Sequence, residues 1–307
     1  MVTGATSGIG FETALILAGR GARVIGVGRD PGRCAEAAGR IRASVPDAEV
    51  RFETADLSSQ AEVRSLAARI RGREPRVDVL VNNAGLFTFR RAESVDGIEM
   101  QLAVNHLAAF LLTLELLPLL AAAPRSRVVC LSSGSHFSGR IRWGDPGRSR
   151  LYNGLAAYEQ SKLAVLMFAT ELSRRLGAGS TVDTYTVDPG LVRTGIGGKD
   201  GSAIVRWVWD LRARRGIDAR ESAESVAWLA MDPSAEGRTG RYWKEREVVP
   251  SSRLSTDPEA CRRLWDISEQ LCGIEADSQD LRHRLRSGRS TYRSTSGRMT
   301  EPISAST

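Results

Sequence analysis

Short apolar, β-branched runs alternate with amphipathic stretches along most of this chain, and that alternation constrains its fold more than any other feature. Runs at 23–27, 50–54, 77–81, 127–131 and 182–187 read as strands. Helical periodicity fills 9–18, 33–43, 61–71, 97–120 and 156–176. Short apolar strands separated by helices predict an α/β fold: a parallel sheet covered on both faces, with right-handed crossovers. No repeat or Pro-rich linker interrupts the pattern, so one domain is expected over 1–274. The remainder, 275–307, is polar and rich in Ser, Thr and Arg. It carries too little apolar surface to offset chain entropy and is expected to be a disordered tail.

The segment Thr3-Gly4-Ala5-Thr6-Ser7-Gly8-Ile9-Gly10 runs straight into the first helix. Glycines there permit a tight turn and close approach of the backbone to a pyrophosphate, and the helix N-terminus offers N–H groups and partial positive charge. In a strand–loop–helix context this is a dinucleotide cradle. A first strand should precede it, yet only Met1 and Val2 do so. The expectation is a truncated strand or, as favoured, a true start further upstream.

Cofactor choice is read at the end of the second strand, Gly28-Arg29-Asp30. A carboxylate there would accept from a ribose 2′-hydroxyl. Gly28 leaves that place empty, while Arg29, helped by the Ser7 hydroxyl, suits a 2′-phosphate. NADP(H) is therefore favoured over NAD(H), with Asp30 as the counter-indication if it turns inward. Asp56 and Leu57 follow the third strand, where a carboxylate can accept from an adenine amino group or, like Ser58, cap the next helix. Asn83, Ala84 and Gly85, after Asn82, can wall the adenine ribose and tie neighbouring strands.

Composition excludes several classes. The net charge of +7 rests on 40 arginines against three lysines, and outside the tail the arginines are dispersed, so no nucleic-acid surface is indicated. Cys34, Cys130, Cys261 and Cys272 form no C-x-x-C pair, and His106, His136 and His283 are far apart, so no metal site is expected. The opening residues show no signal-peptide pattern, and a reducing cytoplasm fits the cysteines. The apolar run 107–123 contains Glu115 and Pro118, and reads as a buried or interface helix and not a membrane span.

Tyr158 and Lys162 stand four residues apart, on one face of the helix predicted over 156–176. A nearby cation favours the phenolate, and a compact ammonium can donate to a ribose hydroxyl.

Taken in order, Thr-Gly-x-x-x-Gly-x-Gly, Asn-Asn-Ala-Gly, a serine, Tyr-x-x-x-Ser-Lys and Pro-Gly resemble the short-chain dehydrogenase/reductase family. Val104-Asn105-His106-Leu107, Leu131-Ser132-Ser133 with His136, Gly139-Arg140-Ile141, and the stretch from Gly240-Arg241-Tyr242-Trp243 to Arg263-Leu264-Trp265 resemble its retinol dehydrogenase-like group. The resemblance spans roughly 1–274. It implies a Rossmann-type sheet of about seven strands and hydride transfer between nicotinamide and a carbonyl or alcohol carbon. It also implies Tyr158 as general acid/base, Lys162 as the group that lowers the tyrosine pKa and binds the nicotinamide ribose, and Asn105 as support for a water-linked proton path. Ser133, at the second position of its pair, is favoured over Ser132 and Ser135 to hold the substrate oxygen. Pro189, Gly190, Val192 and Thr194 match the nicotinamide loop. His106 and His136 are expected to be packing or surface residues.

Ser133 and Tyr158 lie 25 positions apart, about double the family's usual gap. The added stretch carries Phe137, Ile141, Trp143, Leu151 and Tyr152, and Trp207 and Trp209 follow Thr194. Together they suggest a pocket for a bulky hydrophobic ketone, aldehyde or secondary alcohol, retinal-like or polycyclic, unless these aromatics simply pack the insertion. The expected protein is an NAD(P)H-dependent carbonyl reductase or alcohol dehydrogenase. An NAD-linked alcohol dehydrogenase and a non-catalytic NADP-sensing regulator are the alternatives. If it is a homo-oligomer, the helices at 97–120 and 156–176 are where copies would pack.

Overall fold

The computed structural model describes residues 1–190 and 218–274. The expected tail, together with Val192, Thr194, Trp207 and Trp209, lies outside the described residues. Eight described strands are Val2–Thr3 (β1), Val24–Gly28 (β2), Val50–Thr54 (β3), Val79–Asn82 (β4), Ser126–Leu131 (β5), Val182–Asp188 (β6), Arg241–Lys244 (β7) and Glu247–Val248 (β8). They form one sheet in the order β3-β2-β1-β4-β5-β6-β7-β8. Every pairing is parallel except the last, between β7 and β8. This is the doubly wound Rossmann-type arrangement. The sheet has one strand more than expected, the two-residue β8. β1 is two residues long and pairs on both sides, Val2 with Gly26 and with Val81.

The helices are Gly8–Gly19 (α1), Pro31–Ser44 (α2), Gln60–Arg73 (α3), Met100–Leu102 (α4), Ala108–Ala121 (α5), Gly154–Leu176 (α6), Ala219–Met231 (α7), Arg253–Thr256 (α8) and Pro258–Leu271 (α9). The expected helix at 97–120 is one helical run, Met100–Ala121, broken by a π-helical turn over Ala103–Leu107. It is long and apolar enough to cross a membrane, yet 72% of its most apolar window is buried inside the protein.

Alternation along the strands splits the core into two layers. Val128 and Cys130 of β5 join α3, α5 and α6 on one face of the sheet. Val129 and Leu131 join α1, α2 and α7 on the other. Each fully buried Leu or Val contributes about 1.5–3 kcal/mol through burial. On the first face α9 lies against the helices expected to hold a second copy. Its Trp265 ring stands 4.9 Å from Phe110 and 6.0 Å from Phe168.

The strand order reverses between β1 and β4, and ligands of doubly wound sheets bind in the crevice at such a switch point. The glycine loop and Asn83–Gly85 both emerge there.

Candidate active site

The glycine loop fits a dinucleotide phosphate group. Ser7 is the N-cap of α1 but makes no side-chain capping bond, and the first turn holds no acidic residue. The first-turn N–H groups are thereby left to an anion. A Cβ at Gly10 would overlap the Gly4 carbonyl and the Asn83 amide, so only glycine lets loop, helix and β4 meet. The Thr3 hydroxyl accepts from Asn83 N and Ala84 N, both at 3.0 Å. Asn83 Nδ2 donates to Thr3 O at 2.7 Å and to Gly4 O at 3.3 Å. Asn83 thus ties β4 to the glycine loop, the strand-tying role read from the sequence.

At the end of β2, a Cβ on Gly28 would overlap Thr6 Cγ2 and lie 2.6 Å from Cys34 Sγ, so this position accepts no carboxylate-bearing side chain. Arg29 is exposed. Asp30 caps α2, its Oδ1 accepting from Arg33 N at 2.8 Å. Asp56 Oδ1 accepts from the Ser58 amide at 2.9 Å and hydroxyl at 2.8 Å, while Ser59, not Ser58, caps α3. Leu57 packs partly buried against the α3 layer.

The π turn carries Asn105 toward α6. Its Oδ1 accepts from Leu86 N at 2.7 Å; its Nδ2 donates to Leu86 O at 3.0 Å and to Ser161 Oγ at 2.9 Å. Ser161 in turn donates to Tyr158 O at 2.8 Å. The whole carboxamide is therefore spent bracketing the loop after β4 to the helix of Tyr158 and Lys162. Gly85 sits at the same junction, its Cβ position 3.3 Å from Asn105 Oδ1 and 3.5 Å from Lys162 Nζ. Such π turns recur at functional sites.

Lys162 is buried and donates to Leu131 O at 3.1 Å, with Nζ 5.7 Å from the Tyr158 ring centroid. Burial pushes its pKa down to about 8, opposed by Cys130 and Asp188. Burial pushes the Tyr158 phenol up to about 12; the bond with the Ser133 side chain pulls it down and Asp188 pushes it further up. Loss of water around the phenolate is the largest influence on this group. At neutral pH Tyr158 is an uncharged phenol with the Lys162 ammonium near its ring. Ser132 is turned away, donating to Lys162 O at 2.8 Å, so Ser133 is the hydroxyl that meets Tyr158.

Sequence reasoning missed much of the support. His136 is buried, with Nδ1 2.8 Å from Ser133 O and Nε2 accepting from Ser252 N at 3.2 Å. An accepting Nε2 puts the proton on Nδ1, so a neutral imidazole donates to the Ser133 carbonyl. Burial lowers the His136 pKa and favours that form. His106 is a packing residue too, bonded through Nε2 to Ser268 Oγ at 2.7 Å. Phe87 meets Tyr158 edge-on, ring centroids 5.5 Å apart, and meets Phe89 at 4.5 Å. Neither phenylalanine lies in a recognisable motif; only their place just after Asn-Asn-Ala-Gly signals them.

The insertion divides. Ile141 and Trp143 pack against Leu163, Met167 and Leu264, joining α6 to α9. Tyr152 donates to Glu99 Oε1 at 2.9 Å and accepts from Gln101 Nε2 at 3.0 Å. These three brace the insertion. Phe137 and Leu151 stay open, 58% and 89% exposed. Pro189 and Gly190 follow β6, and Ser222 of α7 donates to Pro189 O at 2.5 Å.

The fold and this site define a nicotinamide-dependent oxidoreductase. The short chain dehydrogenase family model matches residues 1–204, and the chain belongs to that family. It is 38% identical to mouse (Mus musculus) retinol dehydrogenase 14 over 295 residues, covering 89% of this chain and 85% of the relative. It is 40% identical to human (Homo sapiens) retinol dehydrogenase 13 over 287 residues, covering 91% and 85%. These relatives make it a member of the retinol dehydrogenase-like kind. A crystal structure of an uncharacterized protein from Mycobacterium Paratuberculosis superposes with a TM-score of 0.69 at 34% identity, covering 89% of this chain and 92% of that one. A short chain dehydrogenase from Salmonella enterica gives 0.65 at 26%, covering 80% and 94%.

Proposed function

We propose that this protein is an NADP(H)-dependent reductase of bulky hydrophobic ketones or aldehydes, retinal-like or polycyclic. The observation that carries the reading is the convergence of Tyr158, Ser133 and Lys162 at the sheet's switch-point side, with a phenol held protonated at neutral pH. The nicotinamide group supplies the hydride when bound. Gly4, Thr6, Ser7, Gly8, Ile9 and Gly10 would hold its phosphates, Asp56, Leu57, Asn83, Ala84 and Gly85 its adenosine side, and Lys162, Pro189 and Gly190 its nicotinamide side. Ser133 holds the substrate oxygen by a hydrogen bond, and Tyr158 delivers the proton to that oxygen as its negative charge develops. Lys162 keeps positive charge beside that transfer, and Asn105 fixes the helix that carries both groups.

Preference for the 2′-phosphate is supported by exposed Arg29, by the closed Cβ position of Gly28, and by Asp30 being occupied as a helix cap. The apolar substrate class is supported by Phe87, Phe89, Phe137 and Leu151, and by the names of the retinol dehydrogenase relatives. A cytoplasmic location forms part of this proposal, on the reduced state of the four buried cysteines.

The test follows NADPH and NADH absorbance with a panel of bulky ketones and aldehydes, in wild type and Tyr158→Phe. Reduction by wild type with NADPH preferred, and its loss in the variant, is expected. Full activity in Tyr158→Phe would remove the proposed acid.

A further inference from the structure

Ser133 is the N-cap of the single turn Gly134–Phe137, and its Oγ accepts from Ser135 N at 3.2 Å, so the turn orients the hydroxyl. The Ser133 carbonyl accepts twice from one residue: from His136 N at 3.0 Å and from the His136 ring, with Nδ1 2.8 Å away. Both lone pairs of that oxygen are thereby used. The ring is locked from its other side. It is 0% exposed, and Nε2 accepts at 3.2 Å from the N–H of Ser252, 116 positions along the chain and the N-cap of α8. Tyr242 of β7 packs edge-on against it, centroids 4.7 Å apart, and the Tyr242 hydroxyl donates to Asp188 Oδ2 at 3.0 Å. Asp188 Oδ1 in turn accepts from Gly190 N at 2.9 Å. One imidazole therefore joins the serine of the candidate site to the segment before α8, and the tyrosine packed on it is tied to the loop after β6.

We propose that His136 is a positioning residue of the reductase reaction: its Nδ1–H holds the Ser133 backbone, and through it the Ser133 hydroxyl, at the place where the substrate oxygen is bound. The proposal rests on the reading of Ser133 as the residue that holds that oxygen. A hydroxyl stabilises developing charge best when it is already aimed before the reaction. A misplacement of about 1 Å costs about 10²-fold in rate. Ser252 completes the device. Its N–H on Nε2 keeps the imidazole proton on Nδ1, the tautomer that can donate to a carbonyl. The opposite tautomer would set a nitrogen lone pair against the Ser133 oxygen. The segment before α8 carries none of the site residues read from the sequence, yet it selects the tautomer that holds Ser133.

The test uses two variants that each keep one half of the imidazole. Asparagine places its amide N–H near the Nδ1 position and keeps a donor for the Ser133 carbonyl. Glutamine reaches the Nε2 position and keeps an acceptor for Ser252 N. The readouts are kcat and KM for reduction of one ketone, and the dissociation constant of NADPH. In His136→Gln kcat is expected to fall roughly 10- to 100-fold, and His136→Asn to restore most of that loss, with the NADPH constant unchanged in both. In a Ser133→Ala background His136→Gln is expected to cost little more, because the two residues act as one unit. Equal loss in the two variants, or losses that add to that of Ser133→Ala, would leave His136 a packing residue and overturn the proposal. If His136→Gln does not fold, His136→Leu, which lacks both nitrogens, takes its place with the same expectation. A second readout needs no turnover: the carbonyl-carbon NMR resonance of Ser133, expected to move in His136→Gln and to stay near the wild-type position in His136→Asn. If wild type reduces no carbonyl compound the proposed function fails, while this resonance still decides whether His136 holds Ser133.

Discussion

Asn105 Nδ2 donates to Ser161 Oγ at 2.9 Å, joining the π turn to the one residue that stands between Tyr158 and Lys162 with its own hydroxyl on the Tyr158 carbonyl. The bond couples the loop after β4, at the switch point of the sheet, to the helix that bears the proposed acid. Ser161→Ala leaves one Asn105 N–H buried without a partner, at a cost of about 1–3 kcal/mol. The expected outcome is a lower denaturation midpoint and a fall in kcat with KM for the carbonyl substrate nearly unchanged. Chemical denaturation and steady-state kinetics on the one variant check both parts.

Gly10→Ala places a methyl against the Gly4 carbonyl and the Asn83 amide. The loop must then open, which removes the cradle for the phosphates. Nucleotide affinity measured by calorimetry is expected to fall by more than tenfold, with the far-ultraviolet spectrum of the protein preserved.

Arg29→Ala removes the proposed partner of the 2′-phosphate. A hydrogen bond to a charged group contributes about 1.5–3 kcal/mol, which is roughly 10- to 150-fold in affinity. The NADPH dissociation constant should rise by that factor while the NADH constant stays put. Equal loss for both nucleotides would mean that Arg29 acts through the loop and not through the phosphate.

The reduction rate should be flat through neutral pH and fall above about pH 8, where Lys162 loses its proton, well before Tyr158 does so at about 12. The sign follows from the shifts: burial lowers the lysine and raises the phenol, so raising the pH discharges the cation first. The same lowered lysine value has a stability consequence. The folded protein gives up this proton at about 8 and the unfolded chain near 10.5, so this group destabilises the fold fully below pH 8 and progressively less above it. Lys162→Met should remove that contribution and lose activity at every pH.

Leu111→Ala, in the layer between α3, α5 and α6, should cost about 2–5 kcal/mol, because the side chain is 1% exposed and its neighbours cannot collapse into the gap. Thermal unfolding measures it.

Chain order alone carried the α/β class, the glycine cradle and the Tyr158–Lys162 pair, because these depend on local periodicity and on spacing within one loop or one helix. The strands at 50–54 and 182–187 were legible because apolar β-branched runs between helices have few other places to go. Other elements were not legible. β7, β8 and α7 to α9 follow no clear alternation, and the insertion after Ser133 mixes aromatics that brace with aromatics that stay open. Phe87, His136, Asp188 and Tyr242 are scattered over four segments, and only pairing of β5, β6 and β7 brings the last three around Ser133. Tertiary burial also shifts both groups of the central pair. Sequence places a cation four residues from a phenol, which by itself favours the phenolate. Burial of both groups acts the other way, raising the phenol and lowering the lysine, because desolvation depends on what the folded chain puts around a side chain and not on what stands next to it in sequence.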